Sequence, residues 1–401
     1  MTRTILDIHI LQNVPPSNLN RDDTGTPKSA MYGGVRRARV SSQAWKRATR
    51  TAFNELLPPE ELGVRTKKVV EALAERIAAR NEKLAPMAVG LAAETMKAAT
   101  GIAIEVPKRK AKNDADGSVT PESPYLMFLS RRQLDALAEL TETVIADSPG
   151  DELQALAKHF KDRSNKAEAR QALDTRHSVD IALFGRMVAD SADLNVDAAA
   201  QVAHALSVHA SDVESDYYTA VDDRNEDAET GAGMIGTVDF NSATLYRYAA
   251  VDVDELHRNL GLGLRDGESP STPTEKAIGA FLEAFITSLP TGKINTFGNH
   301  TLPSAVIVKV RNRWPVSFVS AFEEPVPKSQ TGGFLRESCV RLADHATELE
   351  EKYGIKESGP SWVFRVGPET ASLHTLGTDV SLKTLIGEVK DEVSRRLEPG
   401  A

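Results

Sequence analysis

Hydrophobic and polar positions alternate at the start of the chain and then change to helical spacing. Residues 4–11 alternate as a half-buried strand does and hold mainly β-branched and aliphatic side chains. A loop rich in turn-forming residues follows. A helix is then predicted to begin with Ser41 or Ser42 as its N-cap and to end at about Leu57, because two prolines come next.

This first helix is predicted to be amphipathic. On a helical wheel its apolar side holds Trp45, Ala48, Ala52 and Leu56. Its opposite side holds Lys46, Arg47 and Arg50. The helix would therefore pack by one side and offer three cations from the other.

From about residue 60 to residue 201 the pattern is mostly that of alanine-rich helices, which indicates an inserted helical lobe. Residues 179–189 read as a β-compatible run, and residues 198–210 are predicted to be helical. Within the lobe, residues 105–124 are polar, charged and proline-containing, which favours an exposed loop. The cations of this loop could touch nucleic acid or be solvated; they are Lys108, Arg109, Lys110 and Lys112.

Two β-prone segments, 213–221 and 234–251, flank a long polar loop and predict a protruding hairpin. The carboxy-terminal part mixes short strand patterns with helical patterns, the last of which predicts a closing helix over residues 382–397. The predicted fold class is α+β, with an antiparallel sheet split by a helical insertion.

Charge is distributed unevenly along the chain. The protein has 48 Lys and Arg against 57 Asp and Glu, yet residues 24–54 contain seven basic residues and no acidic one. The basic residues of this segment are Lys28, Arg36, Arg37, Arg39, Lys46, Arg47 and Arg50. An acidic protein with one basic segment suggests a groove that follows a nucleic-acid backbone, whereas the alternative is a solvated basic helix face without a ligand.

The remaining composition excludes several classes of protein. With 401 residues and 41% hydrophobic residues, the chain is expected to fold into two or three globular lobes. No apolar run is long enough to cross a bilayer, and the amino terminus lacks a signal-peptide pattern, so a cytoplasmic protein is expected. The single cysteine, Cys339, lies in a helical pattern and is expected to be a buried, inert thiol.

Motifs for catalysis, cofactors and metals are missing. Phosphate-binding loops, dinucleotide fingerprints and paired-cysteine metal sites do not occur, and the nine histidines are dispersed. We therefore expect no catalytic residue, no cofactor and no metal. Two carboxylate pairs leave an alternative open, a metal-dependent endoribonuclease that uses Asp22 or Asp23, with Asp222 and Asp223 beside the predicted hairpin tip. A structural protein that assembles without nucleic acid is the second alternative.

The aromatic residues indicate how the protein would contact RNA bases. They make up 5% of the chain, and the aromatic pattern that stacks bases in ordinary RNA-recognition motifs is absent. Sequence-tolerant holding of the backbone is favoured over base reading. Tyr217 and Tyr218 on the predicted hairpin are the exceptions, because one of them could wedge against a base.

Five blocks of the sequence resemble a known family. They are LNRDDTGTPKSAMYGGVRRARVSSQAWKRATR, VDIALFGRMVA, DYYTAVDD, GTVDFNSATLYRYA and, more weakly, TGKINTFGNH. In this order they resemble CasC, the repeated backbone subunit of the type I-E CRISPR surveillance complex called Cascade. The first block is long and distinctive, whereas the helical lobe and the last ninety residues add little.

The resemblance implies a hand-shaped α+β fold. Its palm would be a modified RRM or ferredoxin-like antiparallel sheet, with a helical fingers insertion and a β-hairpin thumb. The implied boundaries are palm 1–59, fingers 60–202, palm 203–212, thumb 213–243 and palm 244–401.

The resemblance also implies a non-catalytic role. About six copies would stack along the spacer of a CRISPR RNA, and each thumb would kink the RNA so that every sixth base flips out. The guide would then pair with target DNA, in a complex with the large and small subunits and the subunits at the guide's 5′ and 3′ ends. No membrane is expected among its partners.

Carried over by position, the resemblance implies a set of RNA-binding residues. Palm positions that hold the backbone correspond to Lys28, Ser41, Gln43, Lys46, Arg47 and Arg50, with Arg21 beside them. Met187 corresponds to a position that packs against bases near the kink, and Tyr217 or Tyr218 to the thumb aromatic. Lys293 and Thr296 fall in the weaker block. The loop of residues 106–124 has no counterpart in the family.

Overall fold

The structure is a computed structural model that describes residues 3–107, 119–174, 177–188, 191–220, 234–261, 267–330, 332–356 and 359–398. The four cations predicted in the polar loop and the pair Asp222–Asp223 lie outside the described residues. No helix of the described chain is long and apolar enough to cross a membrane.

The described residues contain twelve strands. These are β1 Ile5–Ser17, β2 Ser29–Tyr32, β3 Val35–Val40, β4 Gly63–Thr66, β5 Met127–Ser130, β6 Ala200–Val202, β7 Ala205–Ser207, β8 Glu214–Ala220, β9 Met234–Asp252, β10 Ala305–Arg311, β11 Ser361–Arg365 and β12 Thr378–Asp379. Ten of them form one sheet in the order β12-β11-β10-β1-β9-β7-β3-β2, while β6 and β8 also pair with β9. All pairs are antiparallel except β11 with β12.

Twelve α-helices lie within the described residues. They are α1 Ser42–Leu56, followed by Val69–Arg80, Ala88–Thr100, Arg131–Ile145, Glu152–His159, Arg163–Asp174, Val179–Phe184, Val253–Leu260, Thr272–Thr287, Ile294–Phe297, Leu335–Lys352 and Leu382–Leu397. Short 3-10 helices occur at Pro59–Glu61, Glu82–Met87, Ala192–Leu194, Val319–Phe322 and Pro368–Leu376. The α+β class predicted from the sequence is confirmed.

The chain divides into two compact units. The first contains Met1–Phe53, Ala200–Val253 and Ile278–Ala401, and it holds the ten-stranded sheet. The second contains Asn54–Ala199 and Asp254–Ala277 and is mainly helical, with a core that includes Leu73, Leu91 and Leu137.

The central strand β1 is buried on both faces over most of its length. The half-buried strand expected from its alternation was therefore wrong. One face of the sheet packs on Phe318, Phe322 and the helix Leu335–Lys352, where Cys339 is buried as predicted. Burial raises the pKa of the Cys339 thiol to about 12, which keeps it protonated and inert.

Two segments differ from their predicted secondary structure. Residues 179–184 form a short helix and not a β-run, because the buried Asp180 carboxylate accepts hydrogen bonds from Ser178 Oγ at 2.7 Å and Gly63 N at 2.9 Å. Residues 198–210 are not helical, because β6 and β7 pair with β9 instead. In both cases a long-range contact overrides the local pattern.

Candidate nucleic-acid interface

The segment that follows β1 brings the predicted phosphate-binding positions together. The main-chain oxygen of Asn20 accepts a hydrogen bond from Lys28 N at 2.9 Å. The side-chain Oδ1 of the same residue accepts one from Ser41 N, also at 2.9 Å. Lys28 at the start of one hairpin and Ser41 at the start of α1 are therefore held by a single asparagine.

Helix α1 begins where the sequence predicts. Ser41 Oγ accepts a hydrogen bond from Ala44 N at 3.3 Å, so Ser41 is the N-cap. Ser42 N donates to His204 Nδ1 at 3.0 Å. Among the described residues, the main-chain amide of Gln43 has no acceptor. The helix start therefore offers one amide and the positive end of the helix dipole to an anion.

The two sides of α1 differ as expected, although the apolar stripe is shifted. The buried side chains are Trp45, Thr49 and Phe53, whereas the predicted Ala48, Ala52 and Leu56 are only partly buried. Thr49 was not expected there because its hydroxyl is polar, and this hydroxyl is buried without a hydrogen-bond partner among the described residues.

The opposite side of α1 carries the predicted polar and basic residues. Gln43 and Arg47 are exposed, and Lys46 and Arg50 are half-buried. Partial burial lowers the pKa of the Lys46 ammonium. A phosphate that replaced the lost solvent would relieve this cost of desolvation.

The hairpin of β2 and β3 separates its arginines by face. Arg37 is fully buried and donates to the carbonyl oxygens of Tyr32, Ser207, Phe322 and Glu323 at 2.8–3.1 Å. Burial lowers the pKa of its guanidinium. Arg37 is thus a structural residue and not one of the accessible cations of the basic segment. Its neighbour Arg36 is exposed.

A tight turn follows the exposed Arg21. The carboxylate of Asp22 accepts hydrogen bonds from Thr24 Oγ1 at 2.7 Å, Thr24 N at 2.9 Å and Thr26 N at 3.0 Å. The hydroxyl of Thr24 is the main cause that lowers the pKa of Asp22. This carboxylate shapes the turn, and the described residues contain no group of three His, Cys, Asp or Glu that could hold a metal ion.

The root of the β8–β9 hairpin is fastened to the same turn. Asp239 on β9 accepts hydrogen bonds from Thr26 Oγ1 and Ser215 Oγ, both at 2.7 Å, and these lower its pKa. Asn18 Nδ2 donates to Gly25 O at 2.9 Å and to Asp239 O at 2.8 Å. The predicted thumb therefore leaves the sheet beside the predicted backbone-binding turn.

The two hairpin tyrosines point to opposite faces. Tyr217 pairs with Thr237 and Tyr218 with Gly236, and adjacent strand residues alternate in direction. A Cβ placed on Gly236 would lie 2.4 Å from the Tyr218 hydroxyl oxygen, so the Tyr218 ring lies across this glycine. Tyr217 is 60% exposed and shares its face with Asp239, whereas Tyr218 is 40% exposed.

Lys293 lies in a strained turn against the segment Asn18–Asn20. Its φ of 52° is the one positive value among the described residues other than glycine. The neighbouring Gly292 approaches so closely that a Cβ would lie 2.5 Å from Asn18 O. Thr296 is exposed on the short helix that follows. The ring centroid of Phe297 on that helix lies 5.8 Å from the ring centroid of Phe240 at the hairpin root.

Met187 belongs to the second unit and is 84% exposed. The residues on either side of Met187 are fixed by hydrogen bonds. Arg186 is buried and donates to Leu194 O at 2.7 Å, and Val188 N donates to Asn195 Oδ1 at 2.6 Å. An apolar side chain is thus presented to solvent on a rigid loop.

The first unit therefore assembles eleven of the twelve predicted site residues, and Met187 lies in the other unit. Sequence reasoning missed the residues that connect them, Asn18, Asn20 and Asp239. Asparagine and aspartate are common in turns, so only their contacts distinguish them. The arrangement offers separated cations, a helix amino terminus and an exposed aromatic, which suits a phosphate backbone.

Comparison with known proteins identifies the family of this chain. A family model described as CT1975-like protein matches residues 6–388. The chain belongs to the CT1975-like protein family. No curated protein matches it.

Solved structures similar to this family member come from CRISPR complexes. One is a chain of a "CRISPR RNA-guided surveillance complex, pre-nicking", with 31% identity and a TM-score of 0.78, covering 97% of this chain and 100% of that one. Another is a chain of a "CRISPR RNA-guided surveillance complex", with 28% identity and a TM-score of 0.67, covering 96% of this chain and 99% of that one. The fold is thus shared along nearly the whole length.

Proposed function

We propose that this chain is a non-catalytic subunit that binds CRISPR RNA and forms the backbone of a cytoplasmic type I-E surveillance complex. Copies of the chain, about six, would line the guide spacer and present it for pairing with target DNA. The large and small subunits and those at the two guide ends would be its other partners. The palm, fingers and thumb boundaries expected from the sequence belong to the same proposal.

One observation carries the proposal. The segment Asn18–Asn20 contacts Lys28, the start of α1, the root of the tyrosine-bearing hairpin and the loop of Lys293. Elements that carry cations far apart in the sequence therefore meet at one short segment, which supports the proposal. This is what a protein that follows a sugar-phosphate backbone requires.

The mode of binding follows from the residue types. Lys28, Lys46, Arg47 and Arg50 would neutralise phosphates, and Gln43 and Ser41 would contact them at the helix amino terminus. None of these contacts reads a base, so guides of any sequence would bind. Arg21 and Lys293 would extend the same backbone path, with Thr296 beside them.

The kink is assigned to the apolar side chains. Tyr217 or Tyr218 on the hairpin of the first unit would wedge between bases, and Met187 of the second unit would pack against a base. Exposed aromatic and apolar side chains serve this purpose because every base has an apolar face.

The test measures RNA affinity over a series of salt concentrations. Lys46→Ala with Arg50→Ala removes two cations from α1. The negative slope of log affinity against log salt should therefore become shallower by about 1.4. At 0.15 M salt this corresponds to roughly tenfold weaker binding, to the same extent for RNAs of different sequence.

A matched control removes the same charge elsewhere. Lys352 and Lys383 are exposed on two other helices of the same unit, with no ion pair among the described residues. Lys352→Ala with Lys383→Ala should leave the salt slope unchanged. Equal slopes for both double variants would refute the phosphate-binding surface.

A further inference from the structure

Beneath the basic helix lies a buried positive charge without a carboxylate partner. Arg247 on β9 is 1% exposed. Its guanidinium donates to Gln12 Oε1 at 2.6 Å and to the main-chain oxygen of Phe285. Among the described residues it forms no ion pair, and its Nε has no acceptor.

The position of this charge relates it directly to α1. The guanidinium carbon lies 3.7 Å from the ring centroid of Trp45, on the buried side of the helix, and 4.7 Å from that of Phe285. The cations proposed to bind phosphate lie on the other side of the same helix. About one helix diameter, roughly 10 Å, separates the two sides.

Such a residue is costly to the fold. Burial lowers the pKa of Arg247 to about 9, which still leaves it charged at neutral pH. A buried cation with an unsatisfied donor destabilises a protein, and an apolar side chain of similar size would often do better. Its presence calls for an explanation other than stability.

We propose that Arg247 is a positioning residue that holds α1 through Trp45 and keeps an unneutralised positive charge behind the RNA-binding side of the helix. This inference rests on the proposed function. A charge in a poorly solvated interior acts over a longer distance than one at the surface, because less water screens it. It would therefore strengthen phosphate binding without touching the RNA.

The sharpest test neutralises the charge without removing it. Gln12→Glu is nearly isosteric and places a carboxylate against the Arg247 guanidinium. We expect this variant to bind RNA about threefold to tenfold more weakly at low ionic strength. Gln12→Met also lacks the Gln12 amide that donates to Thr301 O, and it removes the acceptor for Arg247 without adding charge. Its RNA affinity should therefore stay within twofold of the unaltered protein.

A second pair of variants separates charge from packing. Arg247→Lys and Arg247→Met both lose the planar stack on Trp45, so both should lower the thermal midpoint. At mildly acidic pH only Arg247→Met should also weaken RNA binding, because a buried lysine, whose pKa is lowered by desolvation, still carries its charge there. All measurements are made below the unfolding transition of each variant, as followed by circular dichroism.

The outcomes are distinguishable from failure of the proposed function. Lys46→Ala with Arg50→Ala serves as the reference for RNA binding. If this reference loses affinity while Gln12→Glu does not, the role of the buried charge is overturned alone. Equal losses for Gln12→Glu and Gln12→Met, or for Arg247→Lys and Arg247→Met, would reduce Arg247 to a packing role. An unaffected reference would instead overturn the proposed function.

Discussion

Arg36 and Arg37 are neighbours with the same chemistry, and we expect their replacement to have different consequences. Arg37→Ala removes a guanidinium whose three nitrogens donate to the carbonyl oxygens of Tyr32, Ser207, Phe322 and Glu323. These acceptors belong to β2, β7 and the end of the 3-10 helix Val319–Phe322, so the arginine ties three segments together. Arg36→Ala removes an exposed side chain from the opposite face of β3.

The magnitude can be worked from these contacts. A hydrogen bond to a charged group contributes about 1.5–3 kcal/mol, but four bonds from one group are not additive. Each buried carbonyl left without a donor costs about 1–3 kcal/mol, and because these costs do not simply add we expect roughly 4 kcal/mol for Arg37→Ala. Arg36→Ala should stay within about 0.5 kcal/mol of the unaltered protein.

Chemical and thermal unfolding of both variants provide the assay. At roughly 2–4 °C per kcal/mol, Arg37→Ala should lower the melting temperature by about 10 °C. Arg37→Lys should not restore it, because an ammonium cannot reach four carbonyls with a planar fork. If Arg37→Ala and Arg36→Ala unfolded within 1 kcal/mol of each other, the assignment of Arg37 as a structural residue would be wrong.

Three other predictions concern the hairpin and one buried histidine. Tyr217→Ala with Tyr218→Ala should impair assembly on RNA, measured by size-exclusion chromatography, while the melting temperature of the free chain changes little; the reverse result would make the pair structural. Asp239→Ala should free the hairpin root and raise its amide exchange, whereas unchanged exchange would contradict the anchoring role. Burial lowers the pKa of His177 to about 4, and its Nδ1 accepts from Gln133 Nε2 at 3.0 Å, so stability present above pH 6.5 is lost as the pH falls towards 4. This loss amounts to about 3 kcal/mol, and His177→Gln should remove that part of the pH dependence; identical profiles for the two proteins would contradict it.

Periodicity alone determined much of the secondary structure. The closing helix is predicted and observed over Leu382–Leu397, and α1 is capped by Ser41, one of the two predicted caps. These elements carry their signals locally, in apolar spacing and in capping residues. The absence of acidic residues from 24–54 likewise identified the basic segment before any contact was known.

Only the tertiary structure decided which members of that segment are accessible and what holds them. Residues 198–210 have a helical pattern but form strands, because the long strand β9 offers unpaired main-chain groups along its edge. Burial of Arg37 and the unneutralised charge of Arg247 depend on partners distant in the sequence. Local patterns describe one segment at a time, whereas burial and charge compensation are properties of segments that meet only in the folded chain.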